Sequence, residues 1–176
     1  MIGTSVLTTI SRSLTELTMK GMCYMSRSSS HSTDSKRYYD WLYHACLDIM
    51  SARILIEDER LAKTVVFHCQ QAMEKGLKAF LLYKHRKLFD GHNLTWLCKQ
   101  AALTDQSFTK WISKSAQLNR YYIETRYPAD IPEEIGMELT KEIFEATEEM
   151  MEFVCDITKF DYRSYRKKGK YWLKNS

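Results

Sequence analysis

The sequence predicts an all-α fold, an up-and-down bundle of four main helices plus a short one. Three observations carry that expectation. Apolar residues recur at steps of three and four along most of residues 36–158, and nothing alternates with period two over a convincing length. Only six Gly and two Pro are spread over 176 residues, too few for the many turns of a sheet protein. Apolar residues at 44% and charged residues at 27% form an ordinary globular balance that argues against wholesale disorder, and the length suits one hydrophobic core with tails.

Residues 1–35 read as a leader without regular structure. Ser and Thr are abundant there and the apolar residues keep no period. With only Glu16 and Asp34 as acids, the segment also fits a transit peptide, while Met19, Met22 and Met25 offer later starts for translation. The first helix runs from about Lys36 to Ile56, with Trp41, Ala45, Ile49, Ala52 and Leu55 on one face. A longer helix follows from about Glu59 to Tyr83. Its apolar stripe (Val65, Val66, Cys69, Ala72, Met73, Leu77, Phe80) is wide, as expected of a central helix touched by several neighbours.

Asp90-Gly91 is a turn signal, and a short helix from about Asn93 to Ala102 carries Leu94, Leu97, Cys98 and Ala101. Thr104-Asp105 breaks the pattern and can cap the next helix, which carries Phe108, Trp111, Ile112, Ser115, Leu118 and Tyr122. Pro128 and Pro132 bracket a loop. The last helix is expected to start near Glu133, with acidic residues in its first turn where the helix dipole favours them, and with Ile135, Leu139, Ile143, Ala146, Met150 and Val154 facing inward. The domain therefore spans residues 36–158, and residues 159–176 form a tail.

Charge is unevenly placed. From Lys159 onward seven Lys or Arg stand against the single Asp161, an excess of +6, whereas the whole chain carries +4 and the remainder therefore about −2. The globular part is thus not a basic nucleic-acid-binding body. The five cysteines are odd in number and widely separated, without Cys-x-x-Cys or Cys/His ligand spacing. Free thiols in a reducing compartment, the cytoplasm, are the simplest reading, with neither a disulfide framework nor a metal site. No apolar stretch approaches the roughly 20 residues needed to span a bilayer, so no membrane partner is expected. No Gly-rich phosphate loop or nucleophile elbow appears, and no cofactor is expected.

The most informative segment is Gln70-Gln71-Ala72-Met73-Glu74-Lys75-Gly76-Leu77-Lys78-Ala79. On a helix Gln71, Glu74, Lys75 and Lys78 stand at i, i+3, i+4 and i+7, one polar stripe along a strongly apolar helix. By spacing alone, a solvated face helped by Glu–Lys pairing explains it. The run resembles, however, the signature helix of the HEPN family (higher eukaryotes and prokaryotes nucleotide-binding), approximately Gln-Ala-x-Glu-Lys-x-Leu-Lys-Ala. Further pieces match in order: Trp41-x3-Ala45-x2-Asp48-Ile49-x2-Ala52, then His92-Asn93-Leu94-x2-Leu97 with Asn93 where Asp is commoner, then Arg126-Tyr127-Pro128, like the Arg-Tyr-Pro of one large branch. Together they span roughly residues 38–157.

The resemblance implies a homodimeric helical bundle, often encoded beside or fused to a minimal nucleotidyltransferase. In such pairs the HEPN subunit acts as a toxin-like ribonuclease or as the nucleotidyltransferase's partner, and other members are nucleotide-binding or substrate-recruiting modules. The leading expectation is a binding module whose groove is bounded by Gln71, Glu74, Lys75, Lys78, His92, Arg126 and Tyr127. The alternative is an RNA-cleaving toxin of a toxin–antitoxin pair, metal-independent, using His92 with Arg126 or Arg86. The ribonuclease branch uses Arg-x4–6-His, in which Arg holds the scissile phosphate and His moves a proton. Arg86-x5-His92 fits that spacing but lies after the second helix, whereas the motif belongs near the final one; no His follows Arg126.

For His92 three readings stand: capping the short helix or packing on Arg126 and Tyr127, contacting a nucleotide, or catalysis. Arg126 either binds phosphate through its planar fork, with Lys78 as a second positive point, or pairs with Glu74 or Glu124 to pin the loop. Tyr127 either stacks on a base or packs within its loop. In the tail, Arg163, Arg166, Lys167, Lys168, Tyr171 and Trp172 interleave basic and aromatic residues. That combination suits single-stranded RNA, and equally a basic tail touching any acidic surface.

Overall fold

The computed structural model describes residues 34–124 and 135–161, with side chains as far as Tyr121 in the first stretch. The chain divides into two units, residues 1–34 and 35–176, and the described helices lie in the second. Among the described residues five α-helices follow in order: α1 Tyr38–Leu55, α2 Ala62–His85, α3 Leu94–Thr104, α4 Ile112–Glu124 and α5 Met137–Thr158. Short 3₁₀ turns precede α2 (Glu59–Leu61) and α4 (Gln106–Trp111). Among the described residues there is no strand.

α2 is the central element, packed most extensively on α1 and then on α5, α3 and α4. That is why its apolar stripe is wide: Val65, Val66, Cys69, Met73, Leu77 and Phe80 are all fully buried although they cover much of its circumference. A buried side chain of this size contributes about 1.5–3 kcal/mol. Beyond α2, Phe80 lies 4.4 Å from Phe108, which also meets Trp111 and Phe153 at 5.5 and 5.3 Å, so a four-ring cluster joins α2, the second 3₁₀ turn and α5. Gly76 lets α2 and α5 approach closely. A Cβ there would sit 2.6 Å from the Met151 sulfur and 3.4 Å from Met150 Cε.

Several boundaries depart from expectation for identifiable reasons. Asp58 accepts from the Arg60 N–H and winds Glu59–Leu61 into a tight turn, so α2 proper begins at Ala62. It runs on to His85, where Arg86 ends it in the left-handed region at φ 57°. The last helix starts at Met137, not near Glu133. Gly136 is extended (φ −69°, ψ 156°) and serves as N-cap, so Ile135 is buried but stands outside the helix, and the acid of the first turn is Glu138. At the other end Lys159 adopts φ 58° and the Phe160 N–H donates to the Cys155 carbonyl at 3.0 Å. This six-to-one bond is a Schellman motif, which ends α5, turns the chain off the helix axis and lays Phe160 on the core.

α1 buries Leu42, Ala45, Cys46, Ile49 and Ala52, yet Tyr39, Tyr43, Leu47 and Ile54 are exposed on its other side, so it is apolar nearly all round. The four described cysteines, Cys46, Cys69, Cys98 and Cys155, are buried free thiols. None of the described helices is long and apolar enough to cross a membrane.

Candidate functional site

Gln70, Glu74 and Lys78 are four residues apart and share one side of α2. That side is not solvated: Glu74 and Lys78 side chains are 7% and 5% exposed. The Glu74 carboxylate accepts from Lys78 Nζ at 3.1 Å through Oε1 and from Gln70 Nε2 at 3.3 Å through Oε2. His92 Nδ1 reaches the same Oε1 at 2.8 Å from the loop after α2. A carboxylate only accepts, so Nδ1 carries the hydrogen. The His92 side chain is 62% exposed, which makes it the member of this cluster most open to a ligand.

The surrounding residues hold this arrangement in place. The Lys78 ammonium lies 5.2 Å from the centre of the Trp41 ring, a cation–π contact, and Trp41 Nε1 donates to the Ser35 carbonyl at 2.8 Å. Gly91 takes φ 95°, the positive φ that turns the loop back before His92. Immediately after His92, Asn93 Oδ1 accepts from the Trp96 N–H at 2.9 Å and caps α3, and the Leu94 N–H donates to Asn119 Oδ1 of α4 at 3.1 Å. His92 thus projects from a loop tied at a helix cap. Capping itself belongs to Asn93, which corrects the reading of His92 as the cap.

The stripe read from sequence separates into two groups. Gln71 turns to its neighbour, donating to Gln70 Oε1 at 2.6 Å. Lys75 points to α1, where it bonds Asp48, and the other Asp48 oxygen lies 3.1 Å from His68 Nδ1. Asp48, His68 and Lys75 therefore form a partly buried clasp between α1 and α2, beside the Glu74 cluster and distinct from it. Among the described residues no three His, Cys, Asp or Glu come together as a metal site would need. Arg86 is exposed at the α2 terminus, where its backbone ends the helix.

Gln70 was not singled out by sequence reasoning, although its spacing to Glu74 and Lys78 was the available signal. Trp41 and Asp48 stood out only as parts of a motif, and their partners required the fold. Arg126 and Tyr127 lie outside the described residues, as do Arg163, Arg166, Lys167, Lys168, Tyr171 and Trp172 of the tail.

The fold agrees with the comparisons to known proteins. The chain belongs to the HEPN domain family, whose model matches residues 38–159. Two solved structures share the fold. TT1696 from Thermus thermophilus is 24% identical, with a TM-score of 0.57 over 69% of this chain and 98% of that one. ST0689, an archaeal HEPN homologue, is 22% identical, with a TM-score of 0.55 over 68% of this chain and 96% of that one. A comparison with curated proteins yields no match.

Proposed function

We propose that this HEPN domain is a binding module, acting as a homodimer, that takes a nucleotide or a minimal nucleotidyltransferase partner at the surface around His92. The observation that supports this best is the buried Glu74 carboxylate holding both Lys78 and the exposed His92. Buried polar groups in a small bundle are costly unless fully partnered, and this set is spent on orienting one imidazole that faces outward. The His92 ring, 62% exposed, is the polar group that a phosphate oxygen or a partner's polar group meets at this surface. Lys78 acts through Glu74 rather than on the ligand, because it is covered by Trp41 and almost wholly buried. Arg126 and Tyr127 remain the sequence's candidates for a second contact.

The same pair favours one rival reading, the RNA-cleaving toxin, since a carboxylate-oriented imidazole is suited to proton transfer. One paired assay separates them: thermal shift with a nucleotide panel and RNA degradation over time, on wild type, His92→Ala and Arg126→Ala. Nucleotide stabilisation in wild type, lost in His92→Ala, with RNA left intact, is the expected result. A ligand at about a hundred times its Kd stabilises by about 2.7 kcal/mol, enough to read as a clear rise in Tm. RNA cleavage abolished by His92→Ala would replace this reading with the ribonuclease. The homodimer is checked by sedimentation of the full chain.

A further inference from the structure

A second concave surface lies away from the Glu74 cluster. The end of α1, the 3₁₀ turn after it and the first half of α5 enclose a cavity of about 710 Å³, within the range of occupied pockets. Ile56, Met137 and Phe144 give it apolar lining, and Glu57, Glu59 and Glu145 give it an acidic rim. Glu148, also in the lining, is matched by Arg53. Glu57, Glu59 and Glu145 form no ion pair with any described residue. Lys141 also lines the cavity, while Glu142 and Glu149 of α5 are paired with Lys114 and Lys110, so the open carboxylates of this surface are the three of the rim.

This surface asks for a cationic segment with aromatic anchors, and the chain carries one. We propose that the groove takes the chain's own tail, residues 162–174, in cis: Arg166, Lys167, Lys168 and Lys170 against the carboxylates, and Tyr171 and Trp172 on Ile56, Met137 and Phe144. Charge complementarity is one argument. The segment from Lys159 carries +6, and the groove it faces holds three carboxylates without an ion pair among the described residues against one lysine. Reach is the other. From Thr158 back to Phe144 α5 covers about 21 Å at its 1.5 Å rise. The ten residues after Asp161, as far as Tyr171, span up to about 33 Å extended, so the aromatic pair reaches the groove at Phe144. The Schellman turn at Lys159 and Phe160 starts that return by breaking the axis of α5. Docked in this way, the tail is withheld from RNA or any other acidic surface and competes for it, so that salt and anionic ligands set its release.

Zero-length carbodiimide cross-linking of the full chain, run on a mixture of isotopically light and heavy protein, tests this directly. Cross-links from Lys167, Lys168 or Lys170 to Glu57, Glu59 or Glu145 are expected within one isotopic copy, falling at least about fivefold between low salt and about 1 M salt. The variant Tyr171→Ser with Trp172→Ser is expected to lower them at least threefold while leaving the thermal unfolding of the bundle unchanged. Absence of these cross-links overturns the proposal. Cross-links found only between light and heavy copies overturn the cis arrangement in favour of a second chain. Equal yields in the aromatic variant overturn seating in the groove and leave only diffuse attraction.

Discussion

Replacing Glu74 or Lys78 alone is expected to unfold this domain far more readily than replacing both. The two side chains are 7% and 5% exposed and 3.1 Å apart, so each is the other's substitute for water. Removing one partner of a buried pair costs about 3–5 kcal/mol, because the remaining charge is left in the interior unanswered. Glu74→Ala belongs at the upper end, since Lys78, Gln70 and His92 all lose their acceptor. Lys78→Met belongs nearer the lower end, about 3 kcal/mol, since Glu74 keeps Gln70 and His92, although the contact with Trp41 is lost. The double variant Glu74→Gln, Lys78→Met removes both charges at similar volume and is expected within about 1–2 kcal/mol of wild type. Unfolding entropy of about 2.1 cal/mol/K per residue over the domain makes 3–5 kcal/mol a fall in Tm of about 12–20 °C. Urea unfolding followed by circular dichroism, with the slope unchanged, gives the cycle. Single variants that each cost under about 1 kcal/mol, or a double variant that equals their sum, would refute the coupling.

Three further outcomes follow from the same geometry. Phe80→Ala, at the fully buried end of the four-ring cluster, is expected to cost about 3–5 kcal/mol in urea unfolding. Asp105→Ala removes the carboxylate that accepts from the Ser107 N–H at 2.9 Å and is expected to cost about 1 kcal/mol at neutral pH. That hydrogen bond holds the Asp105 carboxyl below its ordinary value, so its contribution is present above the unfolded value of about 3.9 and is lost as pH falls through the folded one. The stability gap between Asp105→Ala and wild type should therefore close on acidification. Cys46, Cys69, Cys98 and Cys155 are expected to resist a thiol reagent in the native state and to react on unfolding. Burial pushes the Cys69 thiol up to about 12, and contact with Cys46 together with burial raises Cys155 further.

The helices were legible chiefly where they are long and keep a 3.6-residue period, as α2 does in Val65, Val66, Cys69, Met73 and Leu77. Their ends were less so, since caps such as Gly136 and Arg86 are single residues whose backbone angles the periodicity does not carry. At the site, sequence spacing grouped Gln71, Glu74, Lys75 and Lys78 as one stripe because 3.6 residues per turn places them within one broad sector. The fold divides that sector between two neighbours. Trp41 and the His92 loop cover Glu74 and Lys78, whereas Asp48 of α1 takes Lys75. Which polar residue is buried depends on what packs over it, and no local pattern encodes that. Gln70 shows the same point from the other side: its spacing puts it in line with Glu74 and Lys78, but its 1% exposure follows only from what packs over it.

Gly76 acts at a distance from its own position. With no side chain it admits the Met151 sulfur at the crossing of α2 and α5, and α5 is a stiff rod whose earlier turns form one bank of the acidic cleft. That crossing lies about two turns along α5 from Phe144. A methyl group at residue 76 would have to push the Met151 thioether out of this crossing, so its cost is set by how freely Met150 and Met151 can swing aside.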